Sequence, residues 1–171
     1  NNTLRQNLVI RQPGYDTRAA LIDPNVVFPY EILTKLKNNN LIKSVTDNFY
    51  SFVGACSQSN LIKKAAPQWV DIMISQKVDG VLLVPAWPVC HMSVGHVARI
   101  FENKGISTVT LLSKSFQHLA TQMNIPRVLI TNNYVGRTVG LPNDTKGQTA
   151  TISKAIDLFE KADSPNTIVE I

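Results

Sequence analysis

The hydrophobic positions change period along the chain, and the changes mark an alternation of helices and strands. After a polar lead, Asp23-Pro24-Asn25 has the chemistry of a turn and helix entry. Ile32, Leu33 and Leu36 then recur at helical spacing up to the polar stop Asn38-Asn39-Asn40. Val45 to Val53 is aromatic and β-branched and reads as a strand closed by Gly54. From Gln58 to Gln76, the residues Leu61, Ile62, Ala65, Trp69, Ile72 and Met73 form an apolar stripe, predicting a helix with a kink at Pro67. Asp79 to Pro85 is a continuous apolar run, the pattern of a strand covered on both faces.

The second half repeats the alternation. Ser93 is the expected N-cap of a helix over 93–104 whose Val94, Val97, Ala98 and Phe101 face inward and which stops at Gly105. Thr108 to Leu112 reads as a strand, Ser115 to Met123 as a short helix, and Arg127 to Thr131 as a further strand. A Gly- and Pro-containing loop, GRTVGLPNDTKG, leads to a last amphipathic helix carrying Ile152, Ala155, Ile156 and Phe159. This order predicts an α/β fold: a three-layer sandwich around a mainly parallel, doubly wound sheet of the flavodoxin or Rossmann kind. One domain spans residues 1–171, with 1–13 as the polar lead, and no repeat, low-complexity tract or linker divides it.

Composition narrows the functional classes. With 171 residues, 44% hydrophobic and 17% charged, the chain can bury one sizeable core. No apolar run approaches the roughly 20 residues of a membrane span, and the start NNTLRQN is not a signal peptide, so a cytoplasmic protein with no membrane contact is expected. The net charge of +5 is dispersed. Lys35, Lys37 and Lys43, and Lys63 with Lys64, are loose groupings without interleaved aromatics, which argues for a solvated surface and against a nucleic-acid partner. Both cysteines, Cys56 and Cys90, read as thiols. GxSxG, HExxH, Walker and GxGxxG signatures are absent.

The candidate chemistry lies in residues 78–96, VDGVLLVPAWPVCHMSVGH: an apolar strand, a Pro-flanked loop holding Trp87, Pro88 and Cys90, and a helix start. Parallel α/β sheets bind ligands outside the carboxyl ends of their strands. A cysteine at a helix start meets the positive end of the dipole, which favours thiolate, so Cys90 is a candidate nucleophile or redox centre, with a buried inert cysteine as the alternative. Cys56 falls at the same edge. His91 adjoins Cys90 as a candidate acid, base or thiolate partner, and Ser93 lies on the same junction. His96 follows about a turn later, but no third ligand stands at a suitable spacing, so no metal is expected. In GRTVGL, Gly136 and Gly140 could let backbone amides approach an anion, with Arg137 supplying charge. A mobile rim loop is the other reading.

Several collinear segments resemble one family. GYD (14–16), DPNVVFP (23–29), YSFVGA (50–55), VDGVLLVPAWPVCHMSVG (78–95), ENKGISTV (102–109) and VGRTVGLPND (135–144) are similar to the selenocysteine- or cysteine-containing subunit of the glycine, sarcosine, betaine and D-proline reductases, nearest the proline-reductase-like branch. The resemblance implies a selenocysteine or cysteine, two intervening residues and a cysteine at the strand-helix junction, so Trp87 stands at the leading chalcogen position and Cys90 at the resolving one. It implies reductive cleavage of a carbon-nitrogen bond in a small amino- or imino-acid substrate. A partner subunit's pyruvoyl group activates that substrate, and a dithiol donor reopens the selenenyl-sulfide. No cofactor bound to this chain is expected, and a homo-oligomer is compatible.

Trp87 departs from the pattern, because an indole cannot act as the nucleophile. Either codon 87 is a UGA decoded as Trp in place of selenocysteine, or it is UGG in a diverged paralogue. The family also starts further upstream than the few residues before Gly14, which reads as a shortened N-terminus or a portion supplied from elsewhere. Three functions follow: a thiol- or selenol-dependent reductase subunit, a catalytically silent binding or assembly module using the same cleft, and a racemase-like enzyme pairing Cys90 with Cys56.

Overall fold

The computed structural model describes residues 8–11 and 14–171, so most of the expected polar lead lies outside the described residues. Four strands, β1 (Gly80–Leu83), β2 (Ser107–Ser113), β3 (Arg127–Thr131) and β4 (Thr167–Glu170), form one all-parallel sheet in the order β1-β2-β3-β4. Its helices are α1 (Arg18–Ile22), α2 (Tyr30–Asn38), α3 (Gln58–Asn60), α4 (Ala66–Ser75), α5 (Pro88–Glu102), α6 (His118–Gln122) and α7 (Thr145–Lys161).

Alternation along the strands builds the three layers. Leu83, Leu112, Val128 and Ile130 pack on one face against Val70 and Met73 of α4, Val94, Val97, Ala98 and Phe101 of α5, and Ala120 of α6. Val109, Leu111 and Leu129 meet Ile32 and Leu36 of α2 and Ile152, Ala155 and Leu158 of α7 on the other. The α/β sandwich is therefore as expected. The strands advance in one direction while α5 and α7 lie on opposite faces. The β1–α5–β2 and β3–α7–β4 crossovers thus have opposite hands, a departure from the near-uniform right-handed rule.

Several expected elements differ. Residues 45–53 form no strand. Their aromatic residues anchor three apart rather than in alternation: Phe49 packs edge-on against Phe28 and Tyr30, with ring centroids at 5.3 and 4.9 Å, and Phe52 packs against Trp69 at 4.9 Å. The kink expected at Pro67 takes the form of a π turn over Leu61–Ala65, where the Ala66 N–H reaches back to the Leu61 carbonyl. This loosens the turn ahead of a residue whose ring would crowd the carbonyl four positions earlier. β1 is an edge strand with only Leu83 fully buried, and the doubly covered strands are β2 and β3. Strand β4 and helix α1 were not expected from the pattern. β4 follows a turn at Asn166 (φ 59°) and begins with the Thr167 N–H on the Pro126 carbonyl.

One polar network joins distant segments above the α2/α7 layer. Asp23, 3% exposed, accepts from Gln148 Nε2 (2.7 Å), the Asn143 N–H (2.9 Å), and the Asn25 N–H and Nδ2 (both 3.1 Å). The Val139 N–H donates to the Val26 carbonyl at 2.9 Å. Segments 23–29 and 135–144, far apart in the chain, are thus one structural unit. Burial pushes the Asp23 pKa up, but these hydrogen bonds outweigh it and hold the carboxyl below its ordinary value. A depressed carboxylate contributes stability above the unfolded pKa of about 3.9 and loses it as pH falls through the folded value. Asp23→Ala is therefore expected to lower the unfolding free energy at pH 7 by roughly 2–4 kcal/mol, because Gln148 and the Asn143 N–H lose a charged acceptor. Urea titration at pH 7 and pH 3 checks this, the difference between variant and wild type shrinking at the lower pH.

Candidate functional site

The junction between β1 and α5 forms where the sequence places it, at the carboxyl edge of the sheet. Trp87 is the N-cap in an extended conformation (φ −131°, ψ 153°), and Pro88 at N1 needs no hydrogen-bonding N–H and has the right φ for a helix start. Cys90 lies in the first turn, its N–H on the Trp87 carbonyl at 2.9 Å. Helix α5 thus starts five residues before the expected Ser93 cap. Ser93 is instead buried in the second turn, where its hydroxyl donates to the Gly54 carbonyl at 2.6 Å and accepts from Gln58 Nε2 at 3.1 Å.

Three segments converge on this junction. Gly14 lies against the Trp87 indole so closely that a Cβ there would come within 2.1 Å of Cε2 and Nε1. Gly54 lies against Cys90, where a Cβ would stand 2.7 Å from the sulfur and 2.8 Å from Cα. The Gly136 N–H donates to the Ala86 carbonyl at 3.0 Å, and Thr138 Oγ1 donates to the Pro85 carbonyl at 2.6 Å. Gly136 has φ +84°, and a side chain there would strike the Tyr15 ring and the Asp16 carbonyl. Arg137 stacks over the Tyr134 ring at 4.9 Å from its centroid and lies close enough to Asp16 to help lower that carboxyl. The Asp16 pKa falls to about 2, chiefly through hydrogen bonds from Arg18.

His91 is fully buried. Its Nδ1 lies 2.9 Å from the Trp87 carbonyl, which only a protonated Nδ1 can bond, leaving Nε2 to accept from the Ser113 N–H at 3.4 Å. The ring stacks on Phe116 with centroids 4.3 Å apart. Burial pulls its pKa down to about 4, against the opposing pull of the Trp87 and Pro88 backbone. The imidazole is therefore held neutral and ties α5 to the end of β2. Its position is that of a group that orients the Cys90 turn.

The thiols differ in access: Cys56 is exposed, Cys90 is half-buried, and both are free. Tyr15 is the residue sequence reasoning missed. Half-buried beside Gly136, it has its pKa raised by desolvation and by the nearby Cys90, so the phenol stays a hydrogen-bond donor at neutral pH. Its signal was the GYD segment, which the pattern of apolar residues left unassigned. Among the described residues no group of three or more His, Cys, Asp or Glu side chains could hold a metal ion, and no helix is long and apolar enough to cross a membrane.

Comparison with known proteins places these features in context. Residues 4–86 match the family described as glycine/sarcosine/betaine reductase selenoprotein B. The match ends one residue before Trp87. The chain is also 24% identical over 166 residues to the D-proline reductase subunit gamma of Acetoanaerobium sticklandii, covering 96% of this chain and 68% of that protein. No solved structure matches it.

The buried imidazole sets a pH dependence. A histidine with a folded pKa near 4 and an unfolded pKa of about 6.5 is neutral in the fold and takes up a proton on unfolding between those values. Its share of stability is intact above pH 6.5 and is lost as pH falls toward 4. Wild-type unfolding free energy is expected to drop by up to roughly 3 kcal/mol more than that of His91→Phe across this window. Parallel slopes in denaturant titrations at pH 7, 6, 5 and 4 would contradict it.

Proposed function

From the chain's similarity to the glycine/sarcosine/betaine reductase selenoprotein B family and to a D-proline reductase subunit gamma, we propose that it is a reductase-type subunit that presents Cys90 to a small amino- or imino-acid substrate in a partner-completed cleft. The observation that carries this reading is the placement of Cys90. It lies in the first turn of a 15-residue helix at the carboxyl edge of a parallel sheet, half open to solvent, with Gly54 packed against it and two further segments packed on the junction that carries it.

This chain's own residues supply a limited set of functions. Cys90, in the first turn of α5, is the thiol nucleophile or redox group. Arg137 offers a cation for a substrate carboxylate, and protonated Tyr15 a hydrogen bond at the same rim. His91, Ser93 and Pro88 fix the turn that carries the thiol. The pyruvoyl group and the dithiol donor expected from the resemblance belong to partners outside this chain.

Trp87 favours a second reading, a binding or assembly module without turnover. Its indole occupies the N-cap position, makes no side-chain cap hydrogen bond and covers Gly14. Such a module keeps partner binding after Cys90→Ser, whereas the reductase reading requires the thiol.

Accessibility alone favours alkylation of the exposed Cys56, which makes relative thiol reactivity informative. Under limiting iodoacetamide at pH 7, Cys90 is expected to be labelled several-fold faster than Cys56, as read by peptide mass spectrometry. Labelling at Cys56 first, or at equal rates, would contradict an activated Cys90.

A further inference from the structure

Gly54, two residues before Cys56, packs directly against Cys90, which is distant in sequence. A Cβ on Gly54 would lie 2.8 Å from the Cys90 Cα, so the two Cα atoms are within about 4.5 Å of each other. Cys56 follows two residues later in a tight turn closed by its own N–H on the Gly54 carbonyl at 2.9 Å. Each Cα step spans about 3.8 Å, and a disulfide needs its Cα atoms within roughly 7 Å. A local rearrangement of a few ångströms in the turn is therefore enough to join the sulfurs. Ala55, Cys56 and Ser57 are all exposed; Gly54 is held by Ser93 and Gln58, and Gln58 Nε2 also donates to the Cys56 carbonyl at 3.2 Å, so moving the turn gives up that one contact while Ser93 keeps the anchor fixed. At the same junction the N-cap residue Trp87 has no sulfur to offer Cys90.

We propose that Cys56 is the resolving thiol for Cys90, and that the two form a reversible intrachain disulfide on exposure to a low-molecular-weight disulfide. The Cys90 thiolate attacks one sulfur of the small disulfide, forming a mixed disulfide and releasing one small thiol. The Cys56 thiolate then attacks the Cys90 sulfur and expels the second small thiol. Two protein thiols are oxidised, one small disulfide is reduced to two thiols, and the cysteine protons leave on those thiols. This goes beyond the reductase reading, because it requires neither substrate nor partner subunit. Closing the bridge takes Cys90 out of service and makes the site sensitive to thiol-disulfide balance.

The test uses the full chain and oxidised glutathione at pH 7.5, followed by tryptic mapping without reductant. The expected product is a cross-link between peptides 44–63 and 78–99 in monomeric protein, with no lasting glutathione adduct. In Cys56→Ser the reaction stops at a Cys90–glutathione adduct that persists at least about tenfold longer than in wild type, since the intramolecular thiol no longer competes. The inference is overturned if wild type keeps glutathione on Cys90 as long as Cys56→Ser does, or if the cross-link joins two chains. Either result leaves the alkylation rates of Cys90 and Cys56, and so the reductase reading, separately measurable.

Discussion

The site depends on one requirement: the strand-to-helix junction at Pro85-Ala86-Trp87 must satisfy three successive backbone carbonyls away from a regular ladder. Thr138 donates to the first, the Gly136 N–H to the second, and the Cys90 N–H with His91 Nδ1 to the third. A buried carbonyl without a partner costs about 1–3 kcal/mol, so the loop at 133–138 and the first turn of α5 cannot be moved independently. The thiol of Cys90 inherits its position from this arrangement. So does the role of His91, whose neutral ring reaches both the junction and the end of β2.

The fold was legible where burial alone decides the pattern. β2, β3 and the inward faces of α5 and α7 follow from β-branched runs and helical spacing, because their side chains meet a core on a fixed period. Legibility failed where aromatic residues or caps act singly. Phe49 and Phe52 look like strand residues, but each answers to a different aromatic neighbour. Ser93 looks like a cap, but Pro88 starts the helix earlier and frees the serine to hold Gly54. Placement of Cys90 and Trp87 at the carboxyl edge was readable from the strand-loop-helix order. Tyr15 and the Gly54 contact were not, since nothing local in the sequence says which loop packs on which.

The family resemblance and the geometry inform each other at Trp87. The match to the reductase selenoprotein B family covers 4–86, including three of the segments that surround or support the junction, 14–16, 23–29 and 50–55. It stops one residue before Trp87. Within this region the chain's own scaffold includes glycines at 14 and 54 that allow close approach to Trp87 and Cys90, and the Asp23 network that ties segments 23–29 and 135–144 together. At the N-cap itself an indole stands on Gly14, and the Cys90 thiol lies in the first turn of the helix that follows.

The coupling of the 133–138 loop to the Cys90 turn is the central physical claim, and native-state hydrogen exchange reads it directly at the Gly136 amide. That amide sits in irregular chain between β3 and α7, where exchange is ordinarily fast, yet it bonds the Ala86 carbonyl. The account predicts slow exchange at Gly136, in the range of the β2 and β3 amides and accelerated in Thr138→Val. Exchange at Gly136 as fast as at the exposed loop residues, unchanged by that substitution, would contradict it.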